Sequence, residues 1–316
     1  MIKRRVVVAA ALASPALAVH AQERPIQLMV GAPPGGPFDL AARTAAPFLE
    51  RHLGGMPIVV VNRAGAGGLL MLNEVAAAHP DGRTAALVSF PALVTALFDN
   101  TPRYRVDSFA YVGLLTDEPY TIFVGANSPY TTLAELVAAA RAQPEAVMMA
   151  GTGIGSAPHL ALMQLERAAG VRFTWVPTSG AGQAMQLIQG GHAVGSVSTV
   201  SATLRPHEAG TLRVLALMEQ NRWERAPNLP TAAEQGFPIF AGSARGFAVP
   251  AATPEPMQAR WEEALRRTAA DPEFRALAAR DFIVVRHMDR ATMTRFVEAQ
   301  AATYGEIWRT APWRAP

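Results

Sequence analysis

A glycine- and proline-rich segment, GAPPGGPFD, spans residues 31–39 between a strand-like run and a helix-like run. At such a junction the first N–H groups of the helix have no hydrogen-bond partner, and glycine lets a ligand approach them closely. The helix dipole also favours an anion at this position. The segment therefore predicts an anion-binding loop. The alternative is a tight turn in which Asp39 caps the helix.

A second glycine segment, GTGIGSAPH, spans residues 151–159 and again joins a strand to a helix. Ser156 is the natural N-cap residue, and His159 falls in the first turn. The spacing matches neither the dinucleotide fingerprint nor the phosphate P-loop. In an alternative interpretation, an exported α/β hydrolase uses Ser156 as nucleophile and His159 as base. A capping serine is favoured, because no G-x-S-x-G motif surrounds it and no acid lies in the segment.

A third glycine cluster spans residues 62–68, where a flexible turn and a ligand contact are equally good interpretations. None of the seven histidines is spaced three or four residues from another, so a metal site on one helix is not indicated. The absence of cysteine excludes a disulfide scaffold, a thiolate zinc site and a cysteine nucleophile. We therefore predict no metal, no cofactor and no catalytic residue.

The positive charge of the chain is concentrated at its start, in Lys3, Arg4 and Arg5. The rest of the chain carries 25 basic and 25 acidic residues, which excludes a general nucleic-acid-binding protein. An apolar run of about 12 residues follows the basic cluster, too short for a membrane span of roughly 20. This pattern predicts a secretory signal peptide over residues 1–21, cleaved after Ala21, with Ala18 as an alternative site. We expect a soluble protein in the periplasm.

Short strands alternate with helices along the rest of the chain, and half of the 316 residues are hydrophobic. This alternation predicts an α/β fold with parallel sheets, and the length favours two lobes. Pro47 is expected to kink or shorten the first helix. Strands are predicted near 26–30, 58–61, 85–89, 121–124, 147–150, 173–176, 194–197, 214–218 and 247–249. Helices are predicted near 39–53, 69–78, 133–141, 157–169, 182–188 and 256–268.

These motifs, taken in order, resemble the Bug-type receptors, the periplasmic solute-binding components of tripartite tricarboxylate transporters. The resemblance runs nearly end to end. The matching segments are PGGPFDLAAR at 34–43, VVNRAGAGG at 60–68, PDGRT at 80–84, GSAPHL at 155–160, VP at 176–177, GG at 190–191, AGTLR at 209–213, LPTAAEQG at 229–236 and PAATP at 250–254.

The resemblance implies a periplasmic-binding-protein-like Venus flytrap, with two α/β lobes joined by two crossovers around a central cleft. Lobe I would comprise residues 22–122 and 246–316, and lobe II residues 123–245. It also implies a monomeric receptor, not an enzyme, that passes a small carboxylate to membrane transporter subunits or to a sensor domain. The implied ligand-binding residues are Pro34, Gly35, Gly36, Phe38, Asp39, Ser89, Gly153, Gly155, Ser156, His159, Thr178, Ser198 and Thr199.

Two segments expected near the cleft depart from the family pattern. Where many relatives have V-P-Y-K-G, this chain has Thr178 and Ser179 before the glycine. Where they have an acid in G-G-x-V-D-x-x-F-D-N, it ends in Ser198 and Thr199. An aromatic side chain and an acid are therefore lost, which leaves the identity of the carboxylate open.

Overall fold

A computed structural model describes residues 24–99, 102–310 and 312–313. The predicted signal peptide lies outside this part of the chain. Within it, none of the helices combines the length and the apolar character that a membrane crossing requires.

The described residues form one mixed sheet flanked by helices on both faces. Its strands are β1 (Ile26–Val30), β2 (Ile58–Asn62), β3 (Thr84–Phe90), β4 (Phe109–Gly125), β5 (Met148–Thr152), β6 (Thr174–Thr178), β7 (Gly195–Thr199), β8 (Leu212–Leu217), β9 (Gly242–Pro250) and β10 (Val285–Met288). The helices are α1 (Pro37–His52), α2 (Leu69–Ala76), α3 (Ala92–Asp99), α4 (Leu133–Ala142), α5 (Ala157–Ala169), α6 (Ala181–Gln189), α7 (Val200–Glu208), α8 (Glu255–Ala270), α9 (Pro272–Arg280) and α10 (Arg290–Thr310).

The strand order is β2-β1-β3-β9-β4-β7-β5-β6, with β8 and β10 also paired to β4. The outer strands are parallel, as predicted, since β1 pairs parallel with β2 and β3, and β5 with β6 and β7. The prediction of purely parallel sheets is wrong at the centre, because β4 and β9 run antiparallel to their neighbours. These two strands carry the chain between the two halves of the sheet.

The long strand β4 changes partner partway along its length. It pairs with β9 as far as Pro119 and with β7 from Tyr120 onward. We call β1, β2, β3, β9, β10 and the first part of β4 half I, and β5 to β8 with the rest of β4 half II. Each half has an apolar cluster on each of its two faces. In one cluster of half I, helix α5 also packs against α10.

Several predicted elements match the structure closely, and α5 has the predicted bounds. The expected shortening at Pro47 is wrong: α1 runs through this exposed proline to His52. The helices α3, α7, α9 and α10 and the strand β10 were not predicted. The helix α7 contains Pro206 and β-branched residues, so local propensity alone did not indicate it.

Candidate functional site

The first glycine loop, residues 31–39, leaves β1 and enters α1 through a left-handed glycine. Gly35 has a φ of +81°, and its N–H donates to the Asp39 carboxylate over 2.9 Å. Gly36 is the N-cap residue, and the first intrahelical bond runs from the Leu40 N–H to the Gly36 carbonyl. The N–H groups of Phe38 and Asp39 precede that bond, so they have no acceptor within the helix.

The Asp39 carboxylate stabilises this loop, and the residue is 2% exposed. It accepts hydrogen bonds from the Asn62 amide (2.9 Å) and from Arg43 Nε (2.9 Å). The hydrogen bond from Arg43 is the main reason that the pKa of Asp39 falls to about 2. Asp39 therefore acts within the loop, and in the alternative interpretation of a tight turn, the helix cap assigned to Asp39 is wrong. Asn62 also donates to the Ala32 carbonyl, so the third glycine cluster holds the first loop in place.

The second glycine loop, residues 151–159, repeats this geometry at the start of α5. Gly155 has a φ of +77°, and its N–H donates to His159 Nδ1 over 3.1 Å. Ser156 is the N-cap residue as predicted, but its hydroxyl donates to the Thr152 carbonyl (3.0 Å) and caps no helix N–H group. The capping hydrogen bond expected from Ser156 is therefore absent, and its only hydroxyl proton is used within the loop.

His159 is a neutral imidazole, and its second ring nitrogen has no hydrogen-bond partner among the described residues. Burial lowers its pKa from 6.5 to about 4, and the ring lies 5.2 Å from the Trp175 ring. Because Nδ1 accepts the Gly155 N–H, the proton is assigned to Nε2. Ser156 and His159 share no hydrogen bond, since each bonds elsewhere in the loop. The arrangement is not that of a nucleophile and its base.

The remaining predicted residues gather beside one loop or the other. Ser89 lies near the end of β3, the strand next to β1. The Thr178 hydroxyl lies 2.9 Å from the Gly151 carbonyl, so it supports the second loop. Ser198 and Thr199 end β7, which neighbours β5. Pro34 precedes the left-handed glycine, Phe38 packs on the core beneath α1, and Gly153 is exposed.

The predicted residues thus form two half-sites, one at the carboxyl edge of each half of the sheet. Among the described residues, no hydrogen bond or ion pair joins the first loop to the second. A cavity of about 130 Å³ lies between the halves beside the second loop. It is lined by Ala157 and Gln164 of α5, Phe90 at the end of β3, Phe240, and Tyr304 of α10.

Sequence reasoning missed a buried polar cluster between the half-sites. Arg245 of β9 forms an ion pair with Glu118 of β4, and the Ser201 hydroxyl in the first turn of α7 donates to the same carboxylate. A charged residue within the apolar run of β9 was the available signal. Two larger cavities, of about 680 and 560 Å³, lie away from both loops. The described residues contain no group of three His, Asp or Glu side chains that could hold a metal.

Comparisons with known families, sequences and solved structures agree on one kind of protein. Residues 41–311 match the model of the tripartite tricarboxylate transporter family receptor. The protein BugT of Bordetella pertussis is 32% identical over 237 residues, which cover 74% of this chain and 72% of BugT. The solved structure of the periplasmic binding protein BugD matches with a TM-score of 0.83 at 28% identity, over 92% of this chain and 98% of BugD.

A second solved structure, MatC from Rhodopseudomonas palustris with bound malate, matches with a TM-score of 0.82 at 26% identity. It covers 90% of this chain and 99% of MatC. The predicted periplasmic-binding-protein-like fold of two α/β lobes is confirmed by these matches.

Proposed function

The chain belongs to the tripartite tricarboxylate transporter receptor family, and on this premise we propose that it binds a small organic carboxylate between its two glycine loops. Proteins of this family are solute-binding receptors and not enzymes. One observation carries the proposal. Two helices, α1 and α5, each begin after a left-handed glycine whose N–H is held by the side chain four residues later.

This geometry suits an anion because both loops direct unpaired N–H groups toward the carboxyl edges of their strands. Each helix dipole contributes about 0.3–1 kcal/mol to anion binding. Each hydrogen bond to a charged group contributes about 1.5–3 kcal/mol. A few such contacts support micromolar affinity, near −8 kcal/mol, after association costs of several kcal/mol. The malate bound by MatC is a further support for a carboxylate ligand.

The partner, location and lobe division belong to the same proposal. The receptor passes its ligand to the membrane subunits of a tripartite transporter or to a sensor domain, and it acts as a monomer in the periplasm after cleavage behind Ala21. The lobes are residues 22–122 with 246–316, and 123–245. The partner change of β4 after Pro119 and the start of β9 at Gly242 support crossovers slightly before those boundaries.

The experiment is a thermal-shift screen of mono- and dicarboxylates on the mature protein, followed by calorimetric titration. A ligand at 100 times its Kd should stabilise the protein by about 2.7 kcal/mol. His159→Asn keeps an acceptor near the Gly155 N–H but removes the Nε2 donor, so affinity should fall about ten- to 150-fold.

Ser128→Ala is the matched control, because the Ser128 hydroxyl bonds only within its own turn, beyond the end of β4. It should bind like the wild type. The proposal fails if no carboxylate raises the unfolding temperature, or if both variants bind as tightly as the wild type.

A further inference from the structure

Glu118, Arg245 and Ser201 form a buried polar contact between the two halves of the sheet. The Glu118 side chain is fully buried, and the Arg245 side chain is 6% exposed. One carboxylate oxygen of Glu118 accepts from Arg245 Nη1 in half I, and the other accepts from Ser201 in half II. The Thr199 hydroxyl lies 3.1 Å from that of Ser201, so the cluster reaches the predicted residues at the end of β7.

Arg245 still has hydrogen-bonding capacity after this ion pair forms. Its Nε is buried and has no hydrogen-bond partner among the described residues, and its Nη2 donates to none of them. Nη1 lies on the Cδ side of the guanidinium, so Nε and Nη2 together form the free edge. This edge is a planar pair of donors that matches the two oxygens of a carboxylate. A buried donor without a partner is rare in a native protein and needs an explanation.

A second buried atom without a partner lies on the neighbouring strand, at the position paired with Arg245. Thr116 pairs with Arg245 across β4 and β9, and the Thr116 hydroxyl is also buried without a partner. On the other side of β9, Ser89 of β3 lies directly opposite Arg245. Paired residues of neighbouring strands share a face of the sheet, so these three side chains form one polar row. All three side chains can donate hydrogen bonds, and none of them carries a negative charge.

The register of the sheet places this row next to the first glycine loop. Val30 of β1 pairs with Leu87, and Leu87 pairs with Phe247. These three side chains share the core cluster under α1. Ser89 and Arg245 follow two residues further along the same face, at the level where the chain leaves β1 for the loop. Strands β1 and β9 flank β3, so about 10 Å separates the backbones of the loop and Arg245.

Building on the proposed function, we propose that Arg245 is a specificity-determining residue that binds the second carboxylate of a short dicarboxylate. The glycine loops hold the first carboxylate, and the Nε–Nη2 edge of Arg245 holds the other. Glu118 fixes the guanidinium by its opposite end and balances its charge in the absence of ligand. Ser89 and Thr116 flank the second carboxylate.

The test must avoid leaving Glu118 buried without a counter-charge, which would happen in Arg245→Met alone. It therefore compares Glu118→Gln with the double variant E118Q/R245M, so that the two proteins differ only in the arginine. The probes are succinate and butyrate, which share a four-carbon chain and differ in one carboxylate. The double variant should bind succinate about ten- to 150-fold more weakly than Glu118→Gln. Its affinity for butyrate should change less than about threefold.

The matched control is E262Q/R290M, which removes another ion pair of half I, between α8 and the start of α10. It should leave both affinities unchanged. If E118Q/R245M fails to fold by circular dichroism, E118Q/R245K decides the question, because lysine keeps the charge and loses the paired donors. An equal loss for both probes, no loss for either, or a wild type that binds butyrate as tightly as succinate overturns the role of Arg245. Failure of the wild type to bind any carboxylate refutes the proposed function itself.

Discussion

The two glycine loops share a backbone geometry but differ in the side chain that closes them. In each loop a glycine with φ near +80° donates its N–H to a residue four positions later. In the first loop that residue is Asp39, an ionised carboxylate with partners in Arg43 and Asn62. In the second loop it is His159, a neutral ring against Trp175.

This difference shows that the loop conformation requires an acceptor at this position and does not require a particular charge. A carboxylate is a strong acceptor, but its charge must be balanced, so the first loop recruits two side chains from outside. An imidazole requires no counter-ion, and it leaves Nε2–H available for a ligand. The first loop is therefore the more strongly braced, and the second carries the side-chain donor.

The largest expected effect is on the stability of the first loop. Asp39→Ala leaves the Gly35 N–H and Arg43 Nε without their acceptor, and the Asn62 amide loses one of its two acceptors. We expect a loss of about 2–4 kcal/mol in the free energy of unfolding, measured by urea denaturation. Asp107→Ala removes an exposed carboxylate paired with Arg105 and should leave the free energy of unfolding nearly unchanged, because solvent screens this surface pair. Equal losses in the two variants would show that Asp39 does not brace the loop.

The next largest expected effect is a pH dependence of stability that distinguishes the two loops. The folded pKa of His159, about 4, lies below its ordinary value of 6.5. Between these values the unfolded chain takes up a proton that the folded protein does not, so stability falls as the pH falls from 6.5 to 4. We expect a loss of about 2–3 kcal/mol that is absent in His159→Asn, measured by denaturation at several pH values.

Asp39 should respond in a different range. Its folded pKa, about 2, lies below its ordinary value of 3.8, so its contribution to stability is present above pH 3.8 and is lost as the pH falls toward 2.

A wild type and a His159→Asn variant with parallel stability curves between pH 6.5 and 4 would contradict the neutral, buried state of His159.

The smallest expected effect on stability concerns the left-handed glycine that both loops contain. Gly35→Val and Gly155→Val should each cost about 1–2 kcal/mol, because an L side chain is strained at positive φ. Each should also abolish carboxylate binding while the circular dichroism spectrum persists. Gly35 has open space where a Cβ would lie, so its cost comes from the backbone alone.

Gly210→Val provides the control for this pair. Gly210 has a φ of +70° and open space where a Cβ would lie. It follows the C-terminus of α7, whereas Gly35 and Gly155 precede a helix N-terminus. This variant should lose similar stability and keep its affinity. Retained binding in both loop variants would show that the ligand does not depend on these two backbones.

Features within a single stretch of chain were predictable. The strand, glycine segment and helix succeed one another along the sequence, so the positions of both loops and the bounds of α5 followed from local pattern. The capping box of Thr132 and Glu135 at the start of α4 depends equally on neighbouring residues. The prediction for Ser156 was wrong at atomic level, because its hydroxyl is directed to the Thr152 carbonyl and accepts no helix N–H group.

By itself, the sequence of this protein determined where donors would be unpaired, since glycine, proline and hydrophobic periodicity act over a few residues. Only the tertiary structure decided which distant side chains support the first loop and which meet between the two halves of the sheet. Asn62 reaches Asp39 from the end of β2, and Arg245, Glu118 and Ser201 come from three distant elements. Their meeting depends on the register of β9 between β3 and β4, and that register follows from packing across the whole sheet.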